Sequence, residues 1–402
     1  MNSRAHRVAT VLALAALAML AAGCGGKTKE NGTAEGENAE PEGPKAAHVK
    51  IGVLLPLSGE HSARGDAVLA GLRFAFERKG KPLGLGGASI VVEDYGDHPA
   101  DLLGYASNLI DVKGVSLIIG PFSAEGVKMI ETLAKRKKVA VLTPTTEPMT
   151  LLPVGSTVWR LTFSDADEGR AMAAFAEKKG YRATAVFDDV DLSASLSRAA
   201  AFQKQFRATY GEDAAWAIAH DPDVNDLRRK IGMVVTNRTY AQRDVFYLAG
   251  TRERSVAILN TMKDPDAGLD VKGVAVLGST SWETSLSFPV TAAGPPVFAP
   301  TRFYADRVGT GTAEFVRAFR EKHGRDPGLY DALGYDAGLV IVRVLGDAGS
   351  DGDAILKGLA TLGELDGVTG RLTSAAHTLT GSMTVLKLDG RTFKFETEVE
   401  LR

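Results

Sequence analysis

Few of the reactive side chains in this sequence stand at spacings that chemistry requires. The chain has a single cysteine, Cys24, so neither a disulfide framework nor a thiolate metal cluster can form within it. Its seven histidines include no His-x-x-x-His pair, the helical spacing of a zinc site. Gly120-Pro121-Phe122-Ser123 lacks the Gly-x-Ser-x-Gly spacing of a nucleophile elbow. Gly84-Leu85-Gly86-Gly87 precedes a strand instead of opening a helix, so it reads as a turn and not as a phosphate cradle. Asp188, Asp189 and Asp191 could bind a cation, or could form a solvated loop after a strand. The pattern points to binding without catalysis, and it implies no metal and no cofactor.

The residues suited to binding are hydroxyls and charges just past apolar runs. Ser123, Thr145 and Thr146 follow such runs, where hydroxyls and backbone N–H groups can hold a carboxylate. Arg64, in His61-Ser62-Ala63-Arg64-Gly65-Asp66, opens a helix. Its forked donors suit a ligand carboxylate, or a solvated pairing with Glu60 or Asp66. Trp282 follows a strand and could cover a ligand's apolar part or plug the space beneath a Pro-rich passage. Lys135-Arg136-Lys137-Lys138 reads as the solvated end of a helix, where cations meet the negative end of the dipole. With a net charge of −2 and no longer basic stripe, nucleic acid is not an expected partner.

The elements that must position these residues alternate from residue 48 onward. Apolar runs at 49–55, 89–95, 115–119 and 139–142 predict strands, and amphipathic spacing predicts helices over 65–78, 100–110 and 126–136. The alternation restarts with helices at 167–179, 195–210, 225–235 and 252–262 and strands at 183–187, 214–219, 244–249 and 273–277. A Pro-rich passage at 289–300 precedes helices at 312–323, 330–345 and 353–362. A final hairpin, 383–388 with 392–399, turns at Asp389-Gly390. The expected class is α/β, two doubly wound three-layer lobes joined by a multi-crossover hinge. The first lobe is expected over 48–163 and 296–375, and the second over 164–295 with a C-terminal hairpin at 376–402.

Ahead of these lobes, residues 1–23 read as an export signal. Two arginines precede an almost unbroken apolar run at 8–22, shorter than the roughly 20 residues that span a bilayer. Residues 24–47 read as a disordered tether, rich in Gly, Glu, Lys, Asn and Pro. Its reach is roughly 25 Å for a flexible chain of that length.

Several segments resemble known families. Leu20-Ala21-Ala22-Gly23-Cys24 resembles a bacterial lipobox, which implies a diacylglyceryl group on Cys24. Ile51-Gly52-Val53-Leu54-Leu55-Pro56-Leu57-Ser58-Gly59, Leu117-Ile118-Ile119-Gly120-Pro121-Phe122-Ser123, Val141-Leu142-Thr143-Pro144-Thr145-Thr146 and Gly334-Tyr335-Asp336-Ala337 follow one another in the order of the type I periplasmic binding proteins. The likeness is to the leucine/isoleucine/valine-binding branch and runs from about Val49 to the C-terminus. It implies two lobes with three crossovers that close on a small molecule. It places ligand contacts at Phe122, Ser123 and Ala124 after the third strand, and at Thr145, Thr146 and Glu147 after the fourth. In the second lobe it implies Leu192, Thr251, Thr280, Trp282 and Glu283, with Thr280 where an acid holds the ligand ammonium. Arg64 stands where family members place an aromatic, which implies a more acidic ligand. The expected partners are a small-molecule ligand, ABC permease subunits and the lipid bilayer through acylated Cys24, at the periplasmic or extracellular face of a membrane. The expected function is capture of an amino acid or related small polar or anionic metabolite for an ABC importer. The alternative is a lipoprotein of the same fold that has lost transport and acts as an envelope sensor or regulator of cell-wall synthesis.

Overall fold

The computed structural model describes residues 49–80, 90–144, 155–220, 224–236, 244–264, 273–282, 288–289, 296–307, 311–375 and 377–401. The chain divides into two units, 1–45 and 46–402, and all the described residues belong to the second. The export signal, the tether with Cys24, the glycines at 84–87, and Thr145, Thr146, Glu147 and Glu283 lie outside the described residues.

The first lobe begins with β1 (Ile51–Leu55), α1 (Ser62–Lys79), β2 (Ile90–Asp94), α2 (Leu102–Ser107), β3 (Leu117–Ile119), α3 (Ala124–Lys137), β4 (Ala140–Thr143) and β5 (Val158–Arg160). Its sheet runs β2-β1-β3-β4-β5 and is parallel throughout. Every residue of β1, β3 and β4 is buried, as expected when helices cover both faces. The helix expected at 100–110 is split into a 3-10 turn at Pro99–Asp101, α2, and a π turn at Asn108–Val112. The basic run ends α3 as expected, with Lys138 in a left-handed cap and Lys137 paired to Asp111 at 2.6 Å.

The second lobe follows with α4 (Asp165–Lys178), β6 (Thr184–Asp189), α5 (Ser193–Tyr210), β7 (Ala215–His220), α6 (Val224–Thr236), β8 (Val245–Leu248), α7 (Arg252–Lys263), β9 (Ala275–Leu277) and β10 (Val297–Thr301). The chain then returns to the first lobe as α8 (Thr312–His323), α9 (Leu329–Ala348), α10 (Gly352–Ala360), β11 (Leu365–Asp366) and β12 (Arg371–Leu372). It closes the second sheet with β13 (Ser382–Asp389) and β14 (Thr392–Glu400), giving the order β14-β13-β10-β9-β8-β6-β7. The chain thus passes between lobes after β5, after β10 and after β12.

The expected return to the first lobe at residue 296 is corrected, because β10 pairs parallel with β9 and antiparallel with β13. Prolines around 289–300 argued against a strand there. Pro300 is tolerated because β9 pairs only with Val297 and Phe298, so no ladder bond is lost on that flank.

Two helices from distant parts of the sequence form the back of the first lobe. A Cβ on Gly71 would lie 2.0 Å from the Asp331 carbonyl oxygen, and one on Gly334 would lie 2.0 Å from that of Val68. Only glycine lets α1 and α9 approach so closely. Next to this seam, Asp336 accepts from the backbone N–H groups of Val368 (2.7 Å) and Thr369 (2.9 Å) and from the Thr369 hydroxyl (2.6 Å). Burial pushes its carboxyl up to about 6, against those three donors. The resembling Gly-Tyr-Asp-Ala segment is therefore a structural joint, where a glycine seats one helix and the aspartate ties down the following loop.

Candidate functional site

The carboxyl ends of β1 to β4 converge on a cavity of about 550 Å³. This edge of an open α/β sheet is where ligands bind. Pro56 comes from the loop after β1, Tyr95 and Asp97 from that after β2, Phe122 and Ser123 from that after β3, and Pro144 from that after β4. Arg64 enters from α1 and Tyr330 from α9.

The loops of this wall are tied together before any ligand arrives. Asp94 accepts from the N–H groups of Leu57 (2.7 Å), Ser58 (3.2 Å) and Gly96 (2.8 Å), which joins the first two loops. Burial opposes the charge on Asp94, but these bonds outweigh it and hold its carboxyl below the usual range. Asp97 takes the Glu60 N–H on both oxygens, at 3.1 and 3.3 Å. Gly120 sits at φ +106°, and a Cβ there would lie 2.0 Å from the Leu54 carbonyl oxygen, so the third loop requires glycine. The Thr143 hydroxyl donates to the Pro121 carbonyl at 2.6 Å and joins the third loop to the fourth.

Within the cavity the aromatics meet edge to face, with Phe122 and Tyr330 centroids 5.4 Å apart at 80°. The Arg64 guanidinium carbon stands 5.7 Å from the Tyr330 ring centroid. Among the described residues no carboxylate lies within ion-pair distance of Arg64, so the expected alternative of pairing with Glu60 or Asp66 is not adopted. Ser123 caps α3, its Oγ accepting from the Gly126 N–H at 3.0 Å, and Ala124 opens that helix.

The second lobe presents a different wall. Glu168, fully buried in the first turns of α4, accepts from the Thr280 N–H at 2.9 Å and from its hydroxyl at 2.6 Å. Arg198 pairs with Asp165 at 2.8 Å and with Glu168 at 3.2 Å, and donates to the Ala249 carbonyl at 3.0 Å. Arg302, just past β10, lies 3.7 Å from Asp165 and 3.6 Å from Glu168, donates to the Thr280 hydroxyl, and stacks 4.8 Å from the Phe163 ring centroid. Burial raises Asp165, with Arg198 opposing. Burial also opposes the charge of Arg198, but Glu168 and Asp165 outweigh it and raise that group. Arg302 is lowered by burial, with the same two acids opposing. Tyr330 of the first lobe lies within electrostatic range of Arg302.

Thr280 has both its hydroxyl and its N–H engaged by Glu168. Thr251 caps α7, its Oγ1 accepting from the Arg254 N–H at 3.3 Å, and Leu192 sits half-buried at the start of α5. Trp282 is a correction. It is fully buried, stacked on Phe288 at 5.0 Å, and its Nε1 donates to Ser255 Oγ at 2.9 Å, so it plugs the core and offers a ligand nothing. The acidic loop is an ion pair, with Arg254 forked onto Asp191 at 2.6 and 2.7 Å and 3.5 Å from buried Asp189. Sequence reasoning missed Tyr95, Tyr330, Glu168, Arg198 and Arg302. For Arg302 the usable signal was its place directly after a strand that the prolines disguised.

Comparison with known proteins agrees with this geometry. Residues 48–392 match the family described as periplasmic binding protein. No curated protein matches the chain. A putative branched-chain amino acid ABC transporter protein from Rhodospirillum rubrum is 21% identical with a TM-score of 0.71, covering 87% of this chain and 100% of that one. The leucine binding protein LivK from Thermotoga maritima is 25% identical with a TM-score of 0.60, covering 87% and 98%. A solute binding protein from R. palustris in complex with benzoate is 21% identical with a TM-score of 0.57, covering 87% and 96%. Among the described residues, no helix is long and apolar enough to cross a membrane. From residue 48 to residue 392 the chain belongs to the type I periplasmic binding proteins, a family that binds small molecules and does not transform them.

Proposed function

We propose that this chain captures a small carboxylate-bearing solute, an amino acid or an aromatic acid, between its lobes and delivers it to an ABC importer. The observation that carries this reading is the first-lobe cavity, where an arginine without a carboxylate partner among the described residues lies over Tyr330 beside Phe122. A carboxylate suits the forked donors of Arg64, and an apolar or aromatic body suits the ring walls. Ser123 spends its oxygen on the helix cap but keeps its hydroxyl proton to donate. Thr145 and Thr146 follow β4 in the sequence. Relatives of this fold were solved with leucine, isoleucine and benzoate, all of which join a carboxylate to an apolar body.

A thermal-shift screen of the full chain against amino acids and aromatic acids tests the reading. A ligand at about 100 times its dissociation constant adds about 2.7 kcal/mol, a clear rise in melting temperature. If no member of either class shifts the transition, the chain is not a solute carrier of this kind. The lipobox-like segment supports a lipid anchor on Cys24, which would hold the lobes near a membrane. Intact mass of the mature cellular protein should show an N-terminal diacylglyceryl cysteine at position 24, and an unmodified mature N-terminus would refute the anchor.

A further inference from the structure

The amino ends of the first-lobe strands form a basic edge, at the far end of the sheet from the ligand cavity. Across β1, β3 and β4 the register sets Lys50, Ser116 and Val139 side by side, one position ahead of the first paired residues. Lys113 lies beside Lys50, whose Nζ donates to the Lys113 carbonyl at 2.9 Å. Lys135, Arg136, Lys137 and Lys138 close α3 directly ahead of β4. All six of these cationic residues are exposed. Lys137 reaches Asp111 at 2.6 Å and Lys138 reaches Asp353 at 2.6 Å, so the turn before Lys113, the end of α3 and the start of α10 share one surface.

Acids offset part of this charge. Asp111 and Asp353 take one lysine each, Asp351 stands within electrostatic range of Lys138, and half-buried Glu131 accepts from the Ser156 hydroxyl at 2.7 Å. Six cations against these four acids leave an excess of two positive charges, on a chain whose net charge is −2. The carbonyl end of α3 offsets about half a charge more. Exposed ion pairs hold loosely, so the two paired lysines can exchange a carboxylate for a phosphate. Among these charges stands an apolar side chain. Val112 closes the π turn Asn108–Val112 between Asp111 and Lys113 and is 72% exposed, the most of any large apolar side chain among the described residues. An apolar tip ringed by cations suits the boundary between lipid headgroups and acyl chains, where the tip and the charges each meet a partner.

We propose that this edge of the first lobe docks on an anionic lipid surface, with Val112 seated among the headgroups and the ligand cavity facing away from the bilayer. The described chain begins at Val49, one residue before Lys50, so the segment that follows Cys24 joins the lobe at this edge. The inference rests on the membrane anchor proposed for Cys24 and not on ligand capture. Docked in this way, the carrier rests with its cavity open to solvent and leaves the lipid surface to deliver its load.

Hydrogen exchange of the full mature chain, purified from cell membranes and carried on vesicles, tests it. One set of vesicles is phosphatidylcholine alone, and the other contains phosphatidylglycerol. On the anionic vesicles, amides of residues 108–114 and 133–139 should exchange about ten-fold more slowly than on the neutral ones, since two net charges near such a surface favour the docked form by that order or more. The cavity loops, residues 56–64 and 95–99, should exchange alike on both. K113E/R136E turns the excess of two positive charges into two negative and should abolish the slowing. Raising salt to about 0.5 M should do the same to the wild type, which keeps the test open if the variant does not fold. Equal exchange on the two vesicle types, slowing that survives K113E/R136E in folded protein or high salt, or slowing in the cavity loops instead would each overturn the inference and leave the anchor reading standing. A chain that stays off both kinds of vesicle would refute the anchor and this inference with it.

Discussion

At the scale of single residues, Arg64 bears most directly on ligand capture. It is exposed, it lies over Tyr330, and no carboxylate among the described residues pairs with it. Arg64→Ala should therefore weaken binding of a carboxylate ligand by about ten-fold or more while leaving the melting temperature of the free protein nearly unchanged. Unchanged affinity by calorimetry would place the carboxylate elsewhere. Arg64, Phe122 and Ser123 were legible in the sequence because each stands on a loop or helix start next to a plainly apolar strand. Glu168, Arg198 and Arg302 were not, because they come from α4, α5 and the end of β10 and meet only in the folded lobe. Trp282 follows a strand too, yet Phe288 and Ser255 draw its ring inward, a choice that sequence position alone leaves open.

At the scale of elements, the packing of α1 on α9 sets the geometry of the cavity, since one helix carries Arg64 and the other Tyr330. A methyl at position 334 would meet a backbone oxygen of α1, which cannot swing aside as a side chain would. Gly334→Ala should then push the helices apart, lower stability by about 1–3 kcal/mol and weaken ligand binding along with it. A melting temperature equal to that of the wild type would show that the seam has more slack than its distances suggest. Both helices were legible from their apolar spacing, with ends displaced by only a few residues. β5 was not, because three residues are too few to show a period. β10 was missed for a different reason, the prolines of its own segment.

At the scale of the molecule, the chain passes between its lobes three times, after β5, β10 and β12. Several parallel connections allow one lobe to swing on the other about a hinge while each sheet stays intact. Arg302 lies on the second of these connections, within electrostatic range of Tyr330 of the first lobe. Closure would bring Arg64, Phe122 and Tyr330 of one wall against Thr280 and Arg302 of the other, with the ligand between. A ligand drives closure only if it binds the closed form more tightly than the open one, as contacts from both walls provide. Small-angle X-ray scattering of the full chain, free and saturated with the tightest ligand from the thermal-shift screen, tests this capture by closure most directly. The radius of gyration should fall on saturation, and a scattering curve unchanged by a ligand that calorimetry shows to be bound would contradict it.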